Sequence, residues 1–146
     1  MTLYIDADGC PVVRCAAELA RKHRIPCVLV CDTAHELRIP GTETVTVSKG
    51  SDSADFALVN RVQAGDLVIT QDYGLAAMCL SRRAIPVHQD GMVYTEENID
   101  ALLFFRAAAG RIRRSGGRLR GPAKRTVQQD RDFAACLERL LQEAGL

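Results

Sequence analysis

The sequence is poor in the side chains that build several common kinds of site. It contains no tryptophan and only three histidines among 146 residues, and aromatic residues make up 5% of the chain. Its six cysteines include no CxxC pair and no histidine at zinc-finger spacing, which argues against a structural zinc site. We therefore expect the cysteines to be small core residues without disulfide partners, as in a reducing cytoplasm.

Long apolar runs and several catalytic signatures are also missing. No apolar stretch approaches the roughly 20 residues of a membrane-spanning helix, and the first residues lack the basic and apolar regions of a secretory signal. The chain contains neither GxxxxGK[ST] nor GxGxxG, and no Ser/His/Asp or Cys/His arrangement is indicated. We expect a cytoplasmic protein that makes no contact with a membrane.

The charges are unevenly distributed, although the formal net charge is only +1. Residues 1–105 carry 9 Lys/Arg and 14 Asp/Glu, whereas residues 106–146 carry 10 and 4. An acidic body with a basic C-terminal arm can hold a polyanion near carboxylate-bound metal.

Short apolar or β-branched segments alternate with segments of helical periodicity. This alternation predicts a parallel α/β sheet in one domain, residues 1–146, of which residues 96–146 form a helical, basic C-terminal extension. Pro86 puts the fifth strand near an edge of the sheet. The predicted strands are 3–6, 27–31, 44–47, 67–70 and 85–87. The predicted helices begin near residues 11, 55 and 75 and then cover about 96–114 and 128–143.

Two aspartates with one residue between them follow the first predicted strand. Asp6 and Asp8 would point to the same face of that strand, where their charges would repel by roughly 3 kcal/mol at an effective dielectric constant near 20. A cation, a proton or water must then accompany them. The alternative is that Asp8 and Gly9 only form a turn, and the pattern alone leaves both interpretations open.

Further aspartates fall where they could join this pair. Asp72 follows the fourth strand, and ligands of open α/β sheets bind beyond the carboxyl ends of the strands. Asp52 and Asp55 lie three residues apart at a helix start, hence on one face, although aspartate is also an ordinary helix cap. Such a set of oxygen ligands suits Mg²⁺ or Mn²⁺, and the matching chemistry is phosphoryl transfer by metal-activated water.

Several segments together are similar to one family of bacterial proteins, the YaiI/YqxD or UPF0178 family, which resembles PIN-like domains. The match covers nearly the whole chain. Its opening V-D-A-D-A-C-P-V corresponds to Ile5-Asp6-Ala7-Asp8-Gly9-Cys10-Pro11-Val12, and the other matching segments are Gly50-x-Asp52-x-Ala54-Asp55, Gly65-Asp66-Leu67-Val68-Ile69-Thr70-x-Asp72-x-x-Leu75-Ala76, Gly91-x-x-Tyr94-Thr95-x-x-Asn98-Ile99, Gly121-Pro122 and Asp130-Arg131-x-Phe133.

The resemblance implies a PIN-like three-layer sandwich with a mainly parallel sheet of about five strands, often ordered 3-2-1-4-5. PIN domains are metal-dependent ribonucleases, so it implies acidic positions at Asp6, at Asp72 and at either Asp55 or Asp52. One departure concerns the family's usual N-x-R-G, which is replaced here by 88–91, His-Gln-Asp-Gly. The acid at Asp90 could therefore join the metal cluster, or substrate handling could differ.

The leading hypothesis is a Mg²⁺- or Mn²⁺-dependent nuclease acting on RNA. Asp6, Asp55 and Asp72 would be catalytic, and Asp8 and Asp52 would be further metal ligands. One alternative is a non-catalytic PIN-like domain that binds nucleic acid or protein, and another is a phosphatase of the haloacid dehalogenase type. Self-association stays open. The predicted nucleic-acid contacts are Arg106, Arg113, Arg114, Arg118, Arg120, Lys124 and Arg125.

Overall fold

The computed structural model describes residues 1–32, 37–48, 53–117 and 124–145. A sheet of five parallel strands lies at the centre, in the order β3-β2-β1-β4-β5. The strands are β1 (Leu3–Asp6), β2 (Cys27–Asp32), β3 (Glu43–Val47), β4 (Leu67–Ile69) and β5 (Ile85–Val87). The described helices are α1 (Val13–Lys22), α2 (Ser53–Arg61), α3 (Tyr73–Ser81), α4 (Glu96–Arg114) and α5 (Val127–Ala144).

Helices cover both faces of this sheet, and the two faces form separate apolar cores. Leu3 and Ile5 of β1 point to the side covered by α1 and α5, where Phe133 and Leu137 are fully buried. Tyr4, between them, packs on the other side among residues of α2 and α3. Strands buried on both faces need continuous apolar runs, as expected for parallel sheets. The predicted α/β sandwich with a parallel sheet is confirmed.

The C-terminal half supplies two long helices with well-formed starts. Thr95 and Thr126 each cap a helix in a reciprocal capping box, with Asn98 and Gln129 respectively. Such boxes satisfy backbone donors that the first turn leaves unpaired. The helix α4 packs on α3, and α5 packs on α1, so that α1 and α5 together cover one face of the sheet. In the part of the chain that the structure describes, no helix is both long and apolar enough to span a membrane.

Some boundaries differ from the sequence prediction. The helix α1 begins at Val13, with Val12 as its N-cap, so Pro11 precedes the helix instead of opening it. The helix α3 begins two residues earlier than predicted because Asp72 caps it. After β5 the chain turns back, and one isolated antiparallel bridge joins Val87 to Val93.

The cysteines occupy the positions expected for core residues. Cys27, Cys31, Cys79 and Cys136 are buried, while Cys10 and Cys15 are partly buried. All six are described and none forms a disulfide. The four buried thiols therefore pack as small apolar side chains, as the sequence predicts.

Candidate acidic site at the carboxyl ends of β1 and β4

The carboxyl ends of β1 and β4 lie side by side at the centre of the sheet. The two strands pair in parallel with Ile5 opposite Ile69, so Asp6 and Thr70 come next on neighbouring strands. The Thr70 hydroxyl donates a hydrogen bond of 2.9 Å to Asp6 Oδ2 and accepts one of 3.0 Å from the Asp72 backbone N–H. Thr70 is 1% exposed, and it therefore fixes Asp6 and the chain at Asp72 relative to each other.

Asp72 also organises the start of α3. Its Oδ1 accepts hydrogen bonds from the backbone N–H groups of Gly74, at 2.8 Å, and Leu75, at 3.2 Å. This is helix capping by an aspartate, which the positive end of the helix dipole favours. Arg106 of α4 places Nη1 3.5 Å from the same oxygen. The site therefore combines two carboxylates with one guanidinium contributed by a distant part of the chain.

Burial makes the ionised form of Asp6 unfavourable. The pKa of Asp6 is raised from 3.8 to about 6, mainly by desolvation and in smaller part by the charges of Asp72 and Asp8, while the hydrogen bond from Thr70 acts in the opposite direction. The influence of both neighbours indicates that the three carboxylates share one region. Near pH 6, Asp6 could therefore exchange a proton, and at higher pH a bound cation would offset the repulsion.

Asp8 ties the loop after β1 to the end of β2. Its Oδ2 accepts a hydrogen bond of 3.1 Å from the Asp32 backbone N–H. The following Gly9 has φ +69, a conformation that glycine adopts without strain, and Cys10 N–H bonds to the Ala7 carbonyl. The turn interpretation of Asp8 and Gly9 is thus supported, whereas the predicted role of Asp8 as a metal ligand stays a prediction.

Asp55 lies in the first turn of α2, as predicted. The pKa of the buried Cys79 thiol is raised to about 12, mainly by desolvation and in smaller part by the charges of Asp55 and Asp6. Two carboxylates on different elements thus act on one buried thiol. Asp52, the predicted companion of Asp55, lies outside the described residues.

The described carboxylates do not form a complete metal site. Within residues 1–32, 37–48, 53–117 and 124–145, no group of three His, Cys, Asp or Glu side chains is placed to hold one ion. Magnesium, however, commonly binds proteins through one or two carboxylates and keeps several waters or substrate phosphates. Two carboxylates suffice for this mode of binding, and the predicted role of Asp6 and Asp72 as metal ligands stays a prediction.

A polar cavity of about 380 Å³ opens beside the acidic site. Its position follows from the chain, since Gln71 and Tyr73 flank Asp72. The buried Oε1 of Gln89 has no hydrogen-bond partner within the described part of the chain. Burial lowers the pKa of His88 below its ordinary value, and its Nδ1 lies 3.1 Å from the Asp90 backbone N–H, which leaves the ring proton on Nε2. The lining residues are Gln71, Tyr73, His88, Gln89, Asp90, Arg125 and Gln129.

One wall of this cavity is held together by Arg125. Its guanidinium donates to Asp90 Oδ1 at 2.6 Å, to Asp130 Oδ1 at 2.7 Å and to the Gln89 carbonyl at 2.7 Å. These bonds tie the turn 88–91 to the start of α5. The sequence suggested that Asp90 could join a metal cluster and that Arg125 could contact nucleic acid, but in the structure each is engaged by the other.

Of the other predicted basic contacts, some are described by the structure and two are not. Arg106 is beside Asp72, whereas Arg113 and Arg114 are exposed at the end of α4, and Lys124 is exposed before α5. Arg118 and Arg120 lie outside the described residues.

Sequence reasoning missed two residues of the site. Thr70 was not singled out, although its position two residues before Asp72 is a usable signal for a bridging hydroxyl. Tyr73 left no sequence signal, because only the fold shows which helix starts face the cavity.

The comparisons with known proteins give one consistent result. A family model described as "Uncharacterized BCR, YaiI/YqxD family" matches residues 4–143. A UPF0178 protein of Exiguobacterium sibiricum is 50% identical over 143 residues, which are 98% of each chain. UPF0178 proteins of Clostridium acetobutylicum and Ruminiclostridium cellulolyticum are 42% and 44% identical, over 97% and 94% of this chain and 97% and 90% of their own. No solved structure matches the chain. The chain therefore belongs to the YaiI/YqxD (UPF0178) family.

Proposed function

We propose that this protein is a divalent-metal-dependent nuclease that hydrolyses phosphodiester bonds in RNA at the site of Asp6 and Asp72. The observation that carries the proposal is the junction of β1 and β4, where the Thr70 hydroxyl binds Asp6 and the backbone of Asp72. The strand order 3-2-1-4-5 agrees with the resemblance to PIN-like nucleases. The six free cysteines suit the reducing cytoplasm that we infer as its location.

The carboxylates would hold Mg²⁺ or Mn²⁺ through Asp6 and through Oδ2 of Asp72, the oxygen that does not cap α3. Asp55, Asp8 and Asp52 would be further ligands. When bound, the ion would supply Lewis-acid activation of water and of the phosphoryl group. Thr70 would keep the Asp6 carboxylate oriented by its hydrogen bond, so that little reorganisation is needed during the reaction. The reaction also requires that the chain hold the RNA backbone beside this site.

The phosphate backbone would be held first by Arg106, which lies at the edge of the acidic site. A guanidinium can bind two phosphate oxygens at once, and its ion pair with Asp72 is exposed enough to exchange for a phosphate. The adjacent polar cavity has room for part of a nucleotide. Binding of single-stranded RNA should weaken steeply with salt. The further contacts in this proposal are Arg113, Arg114, Arg118, Arg120, Lys124 and Arg125.

The proposal is tested by incubating the purified chain with Mn²⁺ and end-labelled single-stranded RNA of mixed sequence. We expect cleavage that Asp6→Asn reduces by at least about 100-fold, as is typical when a metal ligand or catalytic group is removed. Asp100→Asn is the matched control, because Asp100 is an exposed aspartate of α4 and this change should leave cleavage intact. Circular dichroism of both variants shows whether the fold is retained.

Cleavage that persists at the original rate in a folded Asp6→Asn variant would contradict the assignment. A phosphoaspartate trapped at Asp6 with a phosphate monoester would favour the phosphatase of the haloacid dehalogenase type, in which the first aspartate is the nucleophile.

A second candidate function is a non-catalytic domain that binds nucleic acid or protein. It is favoured by the finding that no three carboxylates among the described residues are placed to hold one ion. Salt-dependent RNA binding without turnover, under the conditions that test cleavage, would support this alternative.

A further inference from the structure

The outer face of α4 carries apolar side chains that the fold leaves uncovered. Phe104 and Phe105 are 63% and 66% exposed, and Ile112 is 43% exposed. The two phenylalanine rings contact each other edge to face, with centroids 6.0 Å apart. The opposite face of α4 packs on α3, where Ile99 is buried. Exposed apolar clusters of this kind commonly mark interaction surfaces.

The residues of this face repeat at the spacing of a helix-pairing seam. Glu97, Ala101, Phe104, Ala108 and Arg111 follow one another at intervals of four, three, four and three residues. This alternation averages 3.5 residues, which keeps one stripe of an α-helix facing a neighbouring helix. The small alanines on either side of Phe104 leave room for large side chains from that neighbour. We call these five residues, together with the adjacent Phe105, the outer stripe.

The charges along this face identify the neighbour. Glu97 and Asp100 lie in the first half of α4, and Arg111 lies in the second half. Within the described residues, none of these three side chains takes part in an ion pair of the protein itself. Phe104 and Phe105 lie between the acidic and the basic part of this face. If a second helix of the same sequence runs in the opposite direction, its Arg111 lies near Glu97 and Asp100 of the first helix, and the same contact occurs at the other end.

We propose that a second copy of this chain docks on the outer stripe, with the two α4 helices antiparallel and a two-fold axis near Phe104 and Phe105. In such an isologous interface, each contact occurs twice. Ala101 of one copy then lies opposite Ala108 of the other, and Glu97 and Asp100 of one lie near Arg111 of the other. A parallel arrangement is unfavourable because it would place acids against acids.

The size of this surface sets the expected strength of the contact. A helix of 19 residues is about 28 Å long, so pairing two of them buries roughly 1,000–1,200 Å², at the lower limit of specific interfaces. We expect a dissociation constant of roughly 10–100 μM. The contact does not depend on the proposed nuclease activity.

Single-stranded RNA fits this surface less well. Exposed aromatic rings can stack on bases, but Glu97 and Asp100 on the same face would repel the phosphates. A face with one acidic half and one basic half suits a protein helix better than RNA, whose backbone is uniformly negative.

The test is sedimentation of the full chain without RNA or metal, from about 5 to about 200 μM protein. We expect a monomer–dimer equilibrium that Phe105→Ser weakens by at least about 10-fold, since hydrophobic anchors at the centre of an interface contribute most. Arg131→Glu, an exposed change on α5, is the control and should leave the dimer intact. A monomer at every concentration would overturn the proposal, and so would a dimer unaffected by Phe105→Ser.

A charge exchange tests this pairing even if Phe105→Ser perturbs the fold. The homodimers of the variants report its direction, because a parallel pair would already set like charges against each other in the parent protein. The double variant Glu97→Lys/Asp100→Lys and the single variant Arg111→Glu should each dimerise less than the parent protein. A mixture of the two should form a heterodimer more tightly than either variant pairs with itself, because opposite charges then meet at both ends. Failure of the mixture to exceed both homodimers would overturn the antiparallel arrangement. Loss of RNA binding in these variants with unchanged self-association would assign the face to RNA and likewise overturn it.

Discussion

The Asp6 carboxylate combines burial with two like charges, and this combination makes stability depend on pH. Its pKa is raised from 3.8 to about 6, so between about pH 4 and pH 6 the folded chain binds more protons than the unfolded chain. The free energy of unfolding should therefore fall as the pH rises through this window. Roughly two pKa units correspond to a loss of about 3 kcal/mol, complete above pH 6.

Asp6→Asn should remove most of this loss. The amide is uncharged and its oxygen can still accept the Thr70 hydroxyl, so we expect the variant to be more stable than the parent by roughly 1–2 kcal/mol at pH 7.5. Near pH 4, where Asp6 is protonated, the two should be about equal. Urea unfolding at both pH values in EDTA measures this difference, with Asp100→Asn as the control. An equal difference at both pH values would show that ionisation of Asp6 is not its cause.

At the scale of elements, the strands were easier to predict than the helix starts. The strands β2 and β4 are buried on both faces, and that environment requires the apolar runs seen in the sequence. The start of α3 was misplaced because Asp72 was interpreted only as an acid at a strand end. The same carboxylate caps the helix, and a sequence pattern does not show whether an aspartate between a strand and a helix acts as a cap.

Arg125 connects two elements, the turn 88–91 and the helix α5. Its side chain is 21% exposed and bonds to Asp90, Asp130 and a backbone carbonyl. Arg125→Met should therefore lower the free energy of unfolding by about 2 kcal/mol, because partly buried partners lose charged hydrogen bonds. The exposed neighbour change Lys124→Met should have little effect. Urea unfolding of both variants is the measurement. If Arg125→Met instead left stability unchanged and weakened RNA binding, the sequence-based role in nucleic-acid contact would be the better one.

At the scale of the whole molecule, the sequence located the centre of the candidate site but not its surroundings. Asp6 and Asp72 could be placed at strand ends because strand boundaries follow from local apolar patterns. The approach of Arg106 to Asp72 depends on how α4 packs on α3. The engagement of Arg125 depends on α5 reaching the turn 88–91. Such contacts between distant segments are set by tertiary packing, which the local pattern does not encode.

Binding of a divalent ion at the acidic site should stabilise the whole molecule. A ligand that binds only the folded state contributes about 2.7 kcal/mol at 100 times its dissociation constant, which for a chain of 146 residues corresponds to a rise in Tm of roughly 5–10 °C. At pH 7.5 we expect Mn²⁺ to raise the Tm of the parent protein but not that of Asp6→Asn, measured by differential scanning calorimetry.

The parent protein and Asp6→Asn should change their order of stability when Mn²⁺ is added. In EDTA, Asp6→Asn should be the more stable protein, since it lacks the repulsion among Asp6, Asp8 and Asp72. With saturating Mn²⁺, the parent should gain about 2.7 kcal/mol and become more stable than Asp6→Asn, while Asp100→Asn should respond as the parent does. An equal rise in Tm for the parent and Asp6→Asn would mean that Mn²⁺ binds elsewhere, and the metal site would then be wrong whether or not RNA is cleaved. A rise specific to the parent without cleavage would separate metal binding from catalysis, because the calorimetric measurement needs no substrate.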